Sequence, residues 1–340
     1  MNELRLGLVG CGRLARGWYA PALARLADAT VVAVADPAPE SRAWATARFP
    51  GATACESIES LIESGGLDAL LVASPPSNHL AAWRAAARAG LPAFIEKPLL
   101  LASELDRVER ELESARVMVD FNRRFWPAYR RAHDLVASGA LGRPIAVELV
   151  FELDMHAWSE VSAHRLDAAQ GGLAHDLGAH ALDLVAWIAG GEATELVALG
   201  TIGHGLGDRL RAGIGFADGS RATAEVAYAR RTREVLHVEG PGGSFRLLEP
   251  NLPPRIALGR PQGSDVAAWL RGLPLFAARA LDRSRSFSRA SIAAALTSFV
   301  AAVRAGGPYT PGIEEGLTCA SWLRSALRSA AREGEVQRLL

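Results

Sequence analysis

Short apolar runs alternate with segments of helical periodicity through the first third of the chain. Leu4–Val9, Val31–Ala35, Leu67–Ala73, the run opening at Ala93, and Val117–Phe121 read as strands. They are apolar on successive residues, the pattern of strands buried on both faces of a parallel sheet. Between them Leu14–Leu26, Ile58–Glu63 and Leu80–Ala89 read as helices, and Ser103-Glu104 opens another. Pro21 is expected to kink or split the first of these, and Gly90 to stop the third. Strand and helix alternating from Leu4 to Phe121 predicts a doubly wound parallel sheet with right-handed crossovers.

The pattern changes after Asn122-Arg123-Arg124-Phe125-Trp126-Pro127. A helix is expected from Pro127 to about Ser138, a turn over Gly139–Pro144, a strand over Ile145–Leu153, and a helix around 172–189. Ala212–Phe216 and Arg221–Tyr228 flank Asp218-Gly219, a hairpin signal, and Val235–Glu239 and Ser244–Leu248 flank Pro241-Gly242-Gly243, a second. Consecutive hairpins predict a mostly antiparallel open sheet in an α+β domain. Asn251–Arg289 is rich in Pro, Gly, Arg and Ser. Within it Ala267–Leu281 predicts an amphipathic helix with Trp269 and Phe276 on its apolar side. Ser291–Arg304 and Ile313–Glu333 read as the closing helices. The division falls after residue 121: a dinucleotide-binding α/β domain over 1–121, then an α+β domain over 122–340 for substrate binding and oligomerisation.

Composition narrows the classes. With 340 residues, 49% hydrophobic and 22% charged, the chain reads as a soluble globular protein of two domains. Lys plus Arg and Asp plus Glu are both 37, so no global field favours nucleic acid, and no polybasic segment suggests a membrane surface. Cys11, Cys55 and Cys319 are isolated and lack metal spacing. With an N-terminus that lacks a leader pattern, they predict a reducing, cytoplasmic setting.

Candidate chemistry begins at Gly10-Cys11-Gly12-Arg13-Leu14-Ala15, which follows a strand and opens a helix. In this G-x-G-x-x-A turn Gly10 permits the tight bend, Gly12 lets the backbone approach a pyrophosphate, and Ala15 allows close helix–strand packing. Asp36 ends the second strand, 21 residues after Ala15. An acid there accepts the ribose hydroxyls and repels a 2′-phosphate, which favours NAD over NADP, although Arg42 nearby would soften that preference. Ser74-Pro75-Pro76-Ser77-Asn78-His79 and Glu96-Lys97-Pro98 end later strands at the edge where open sheets place their ligands. Lys97 is a candidate proton-transfer group there. A structural Lys–Glu pair closing a strand is the alternative for Glu96-Lys97.

In the second half, Asp176, His180 and Asp183 fall at i, i+4 and i+7 of the predicted helix. Carboxylates on one face with a histidine form an acid–base unit near neutral pH. A salt-bridged helix without chemistry is the plain alternative. His175, Asp176, His180 and Asp183 are metal-ligand types, but one helix face cannot bring all four to one ion, and no metal is expected. His133, His156, His204 and His237 are scattered and read as structural or exposed.

On the Gly10–Ala15 turn, Asp36, Ser74-Pro75 with His79, Glu96-Lys97-Pro98, Asn122-Arg123-Arg124-Phe125 and Gly171-Gly172 through His180, the sequence resembles the Gfo/Idh/MocA oxidoreductases. The resemblance implies catalytic roles for Lys97 and His180, with Asp176 positioning substrate. It implies cofactor contacts from Gly10, Gly12, Arg13, Leu14, Ala15, Asp36, Ser74, Pro75, His79, Glu96, Lys97 and Asn122, and substrate contacts from Lys97, Arg124, Asp176 and His180. Pro98 becomes a candidate cis-proline. The implied activity is hydride transfer between NAD, or NADP, and a secondary alcohol or ketone of a sugar, inositol or nucleotide sugar. A glycoside hydrolase using transient oxidation and a non-catalytic NAD(P)-binding regulator are the alternatives on the same fold. The resemblance further implies a homodimer or homotetramer formed through the C-terminal sheet. Leu173, Ala174 and His175 depart from the usual residues after the Gly-Gly pair, and Pro250–Arg289 matches no motif of the family.

Overall fold

Apolar runs buried on both faces build the first sheet, in which Ala69–Val72, Ala93–Glu96 and Val117–Asp120 are buried throughout. The computed structural model describes residues 3–156, 161–167, 171–203, 205–248, 254–258, 270–271, 273–274 and 287–339. The chain divides into two units: Met1–Phe125 with Ser286–Thr318, and Trp126–Arg285 with Cys319–Leu340. The division after residue 121 read from the sequence assigns both closing helices to the second domain. Here the segment 286–318 returns to the first.

In the first unit β1 (Leu4–Val9), β2 (Ala29–Ala35), β3 (Thr53–Cys55), β4 (Ala69–Val72), β5 (Ala93–Glu96) and β6 (Val117–Asp120) form one sheet in the order β3-β2-β1-β4-β5-β6. Every pair is parallel, as expected for a doubly wound sheet. Helices Pro39–Arg48, Ile58–Glu63 and His79–Arg88 supply crossovers.

Two local expectations fail for physical reasons. The helix after β1 is not broken at Pro21. Ala15–Tyr19 winds as a wider π turn, with the Ala20 N–H reaching Ala15 O, and Ala20–Leu23 then continues as α-helix with Pro21 in its first turn. A proline has no N–H to give a carbonyl of the preceding turn, and a π turn is one way in which a helix absorbs that break. The crossover opened by Ser103-Glu104 is not an α-helix but two tight 3₁₀ segments, Ala102–Arg107 and Arg110–Ser114.

Helix Phe287–Ala305 adds to the core of this sheet: Ile292, Ala295, Leu296, Phe299 and Val300 join Leu8, Val34, Phe94 and Met118 in one buried cluster. The Phe299 ring lies 5.5 Å from that of Phe94, which in turn meets Tyr19 edge-on at 6.2 Å. Such aromatic pairs stabilise beyond their buried area.

In the second unit β7 (Ala146–Asp154), β8 (Ala193–Thr201), β9 (Arg209–Phe216), β10 (Arg221–Ala229), β11 (Arg233–Gly240), β12 (Gly243–Leu247), β13 (Arg255–Leu258) and β14 (Gln337–Arg338) form a sheet in the order β13-β12-β11-β7-β10-β9-β8-β14. Both predicted hairpins are present: β9–β10 across Asp218-Gly219 and β11–β12 across Pro241-Gly242. Pairing is antiparallel except for β7 beside β10, which run parallel over nine residues, Ala146–Asp154. Helix Ala179–Ala189 packs on β7 and β10 and against helix Pro127–Ala137. Alternation along β9 and β11 buries one face and leaves the other half-exposed. The last helix runs Ile313–Ala331, two residues short of the expected Glu333, which takes φ 53°. The helix expected over 267–281, with Trp269 and Phe276, lies almost entirely outside the described residues, as does His204. Among the described residues no helix is long and apolar enough to cross a membrane.

Candidate functional site

The glycine turn is built by contact with the neighbouring strand end. Gly10 has φ +88°, and a Cβ there would lie 2.6 Å from Ser74 N, so the two chain segments touch backbone to backbone. At Gly12 a Cβ would meet nothing within 4 Å. Its Cα therefore faces open space beside the helix N-terminal turn, whose first intrahelical bond runs from Arg16 N–H to Gly12 O (3.0 Å). This combination of open Cα and positive helix end fits a diphosphate.

Asp36 stands at the end of β2. Its carboxylate accepts the Cys11 N–H (2.8 Å) and the Ala38 N–H (2.9 Å), which fixes it beside the turn while lone pairs remain on both oxygens. Arg42 does not offset this charge for a 2′-phosphate. Its guanidinium donates to the Asp36 and Pro37 carbonyls and pairs with Glu56 at 3.1 Å. The Cys11 thiol is buried, and burial together with the Asp36 charge pushes its pKa up to about 12, so it is packing and not a nucleophile.

Lys97 follows the last residue of β5 and is half-buried; it is the only lysine in the sequence. The Lys97–Pro98 bond is cis. Ser74 lies across from it at the end of β4, with a buried hydroxyl that has no protein partner among the described residues. His79, expected as a cofactor contact, is instead buried, with Nδ1 2.7 Å from Pro98 O and Nε2 2.9 Å from Ser74 O. It ties the two turns together. Burial holds its pKa below the ordinary 6.5, against the two carbonyls that favour a proton, and the Lys97 charge adds to the lowering.

Behind Lys97 the structure assembles groups that sequence spacing does not connect. The Tyr19 hydroxyl lies 3.0 Å from Glu96 Oε1 and 2.8 Å from Asp120 Oδ2, and the Lys97 N–H donates to Glu96 Oε2 (3.0 Å). Burial pushes the Glu96 carboxyl up against the opposing Lys97 charge. Burial and then the Glu96 charge push Asp120 well above the usual carboxylate range. Asp120 was legible only as the polar end of an apolar run. Arg124, expected at the substrate, is buried with its guanidinium on Glu315 (3.2 Å) and over the Phe121 ring (5.6 Å). It ties the Asn122–Phe125 turn to the start of helix Ile313–Ala331. Asn122 opens that turn directly after β6 and Phe121.

In the second unit Ala174–Gly178 forms another π turn ahead of helix Ala179–Ala189. Such turns insert a residue into the helical repeat and recur at functional positions. The single straight helix read for Asp176 and His180 is here a π turn carrying Asp176 that runs into an α-helix carrying His180. Asp176 is buried and accepts from the Tyr228 hydroxyl (3.1 Å) and from Arg165, while His180 is half-exposed. Burial, then the Asp176 charge, raises the Tyr228 phenol far above its ordinary value, so it remains a donor. Arg165 and Tyr228 were not singled out in the sequence; alternation along β10 marks Tyr228 as inward but says nothing of a partner. His175 Nδ1–H donates to Gly171 O (2.7 Å). Among the described residues no three His, Cys, Asp or Glu side chains gather as for a metal ion.

Comparison with known proteins agrees with this architecture. Residues 4–122 match the oxidoreductase family with NAD-binding Rossmann fold, and residues 129–246 match the GFO/IDH/MocA C-terminal domain. An inositol 2-dehydrogenase of Corynebacterium glutamicum is 32% identical over 193 residues, 56% of this chain and 55% of that protein. The aligned region thus spans about half the length of such curated relatives. An inositol 2-dehydrogenase of Rhizobium meliloti aligns over 98% of both chains at 28% identity. A levoglucosan dehydrogenase solved with NADH and levoglucosan superposes with a TM-score of 0.83 at 22% identity, over 99% of both chains, a likeness of fold. The chain belongs to the Gfo/Idh/MocA oxidoreductase family.

Proposed function

From that membership we propose that the protein is an NAD(H)-dependent oxidoreductase. It would move a hydride between the nicotinamide and a secondary alcohol or ketone of a sugar, inositol or nucleotide-sugar-like substrate. One observation carries the reading: the Gly10 turn pressed on Ser74, with open Gly12 and a fixed Asp36 carboxylate, lies at the same sheet edge as Lys97. Ligands of open α/β sheets bind at that edge.

Gly10, Gly12, Arg13, Leu14 and Ala15 would hold the diphosphate, and Asp36 the adenosine ribose hydroxyls. Ser74, Pro75, Glu96, Lys97 and Asn122 would border the nicotinamide end. Bound there, NAD supplies a hydride acceptor at nicotinamide C4. Lys97 Nζ donates to the reacting oxygen and stabilises negative charge as it develops there. His180 takes the hydroxyl proton in oxidation and returns it in reduction. Asp176, held by Tyr228 and Arg165, positions a substrate hydroxyl. NAD is favoured over NADP because the Asp36 carboxylate repels a 2′-phosphate and Arg42 is committed elsewhere.

The half-exposed sheet face fits self-association. Glu225 pairs in register with Arg211, and His237 with Glu148, so that face presents both signs of charge. A homodimer or homotetramer through this face is the assembly proposed.

The test is a screen of inositols, sugars and nucleotide sugars with NAD and with NADP, following absorbance of the reduced cofactor. Reduced cofactor formed with a polyol supports the reading; NADH binding with no turnover of any alcohol in the screen would point to a non-catalytic relative.

A further inference from the structure

Glu96 and Asp120 end adjacent parallel strands as register partners. Between them stands the Tyr19 phenol, 3.0 Å from Glu96 Oε1 and 2.8 Å from Asp120 Oδ2. All three side chains are buried, Tyr19 and Asp120 completely. A phenol has one proton and can give it to only one of two acceptors. With both carboxyls ionised, the other short contact would set a phenol lone pair against a buried anion, and a second anion would lie alongside. A proton on one carboxyl supplies the missing donor and removes the repulsion.

The surroundings decide which carboxyl carries it. Glu96 Oε2 accepts the Lys97 N–H, and the Lys97 charge favours its ionised form. Asp120 Oδ1 is buried without a hydrogen bond of ordinary geometry among the described residues, and the Asn122 side chain is the neutral amide donor turned toward this carboxyl. A neutral acid tolerates that position far better than a carboxylate does. Besides the two carboxyls themselves, two ionisable groups among the described residues face the pair: Tyr19 from the helical turn after β1 and Lys97 after β5.

We infer that Glu96 and Asp120 hold one proton between them, seated on Asp120, so that a single negative charge stands behind Lys97. Building on the oxidoreductase reading, the pair is a positioning unit. It fixes the charge against which the Lys97 ammonium works on the reacting oxygen, and neither carboxyl need touch substrate.

The proton can be counted without any assay of turnover. In the cofactor-free protein at neutral pH, the infrared spectrum of wild type should contain a protonated-carboxyl C=O band that is lost in Asp120→Asn. Unfolding near neutral pH should release about one more proton from wild type than from Asp120→Asn, measured in weakly buffered solution. Tyr19→Phe leaves both carboxyls in place and should retain the band, which covers the case in which Asp120→Asn does not fold. A wild type with neither the band nor the extra proton overturns the inference. In the dehydrogenase assay Glu96→Gln should move the pH profile of kcat/KM toward acid. Asp120→Asn, neutral like the acid it replaces, should keep the limbs of the profile in place. Equal displacement in both variants would overturn the seating of the proton on Asp120. Absence of alcohol oxidation in wild type would sink the oxidoreductase reading and leave the proton count to decide the pair.

Discussion

The His79 imidazole lies 2.7 Å from the Pro98 carbonyl oxygen, and its other nitrogen faces Ser74 O at 2.9 Å, so one buried ring spans the ends of β4 and β5. Burial keeps the folded pKa below the ordinary 6.5, which means that the native state favours the neutral ring. Its contribution to stability is therefore full above pH 6.5 and is lost as pH falls through the folded value. Melting temperatures of wild type should fall more steeply than those of His79→Gln between about pH 7 and pH 5. Parallel curves would show that the ring does not titrate with unfolding. At neutral pH the substitution should cost about 1–3 kcal/mol, because a buried carbonyl loses the ring N–H that serves it.

Gly10 and Gly12 should separate folding from binding. Gly10→Ala places a methyl 2.6 Å from Ser74 N at φ +88°, and should destabilise the protein by more than about 1 kcal/mol in chemical denaturation. Gly12→Ala meets no protein atom, so its melt should match wild type while NADH fluorescence titration shows about tenfold or greater weakening. Equal NADH affinity in Gly12→Ala would remove the turn from the cofactor site.

Lys97→Met removes the cation and keeps the length of the side chain. Turnover should fall by about 10²–10⁴, the usual worth of positioned proton-transfer chemistry, with NADH binding retained. As Lys97 is the only lysine, selective ¹³C-lysine labelling gives one side-chain signal that reports substrate or cofactor arrival directly. A variant of full activity would refute the assignment.

Asp36→Ser withdraws the charge that disfavours a 2′-phosphate. The ratio of kcat/KM with NAD to that with NADP should drop by about tenfold or more. An unchanged ratio would mean that Asp36 does not meet the ribose.

Phe299→Ala should cost about 3–5 kcal/mol, since the ring is fully buried against Phe94 and Tyr309 in the core of the first unit. Urea unfolding measures this. A cost below about 1 kcal/mol would mean that the helix Phe287–Ala305 is not part of that core.

Local pattern was enough for most elements. Leu4–Val9 and Ile58–Glu63 recur in the structure with their predicted bounds, and the Asp218-Gly219 hairpin recurs with its first strand beginning three residues earlier, at Arg209. The glycine turn and Asp36 were legible because each chemical demand falls on one residue at a fixed distance along the chain. The i, i+4 reading of Asp176 and His180 assumed an unbroken α-helix, and a π turn of five residues stands where its first turn was expected. Arg124 looked available for substrate because its partner, Glu315, lies 191 positions away.

The sequence by itself determined the order and kind of the elements and the chemistry carried at the strand ends, because hydrophobic periodicity and turn residues act over a few neighbours. Tertiary structure alone decided which distant segments share a core or a proton. It brought Phe299 to Phe94, set β7 parallel to β10, and gathered Tyr19, Glu96 and Asp120 around one hydroxyl. Those pairings depend on burial and on register between strands far apart in the chain, and neither quantity is written in any local window.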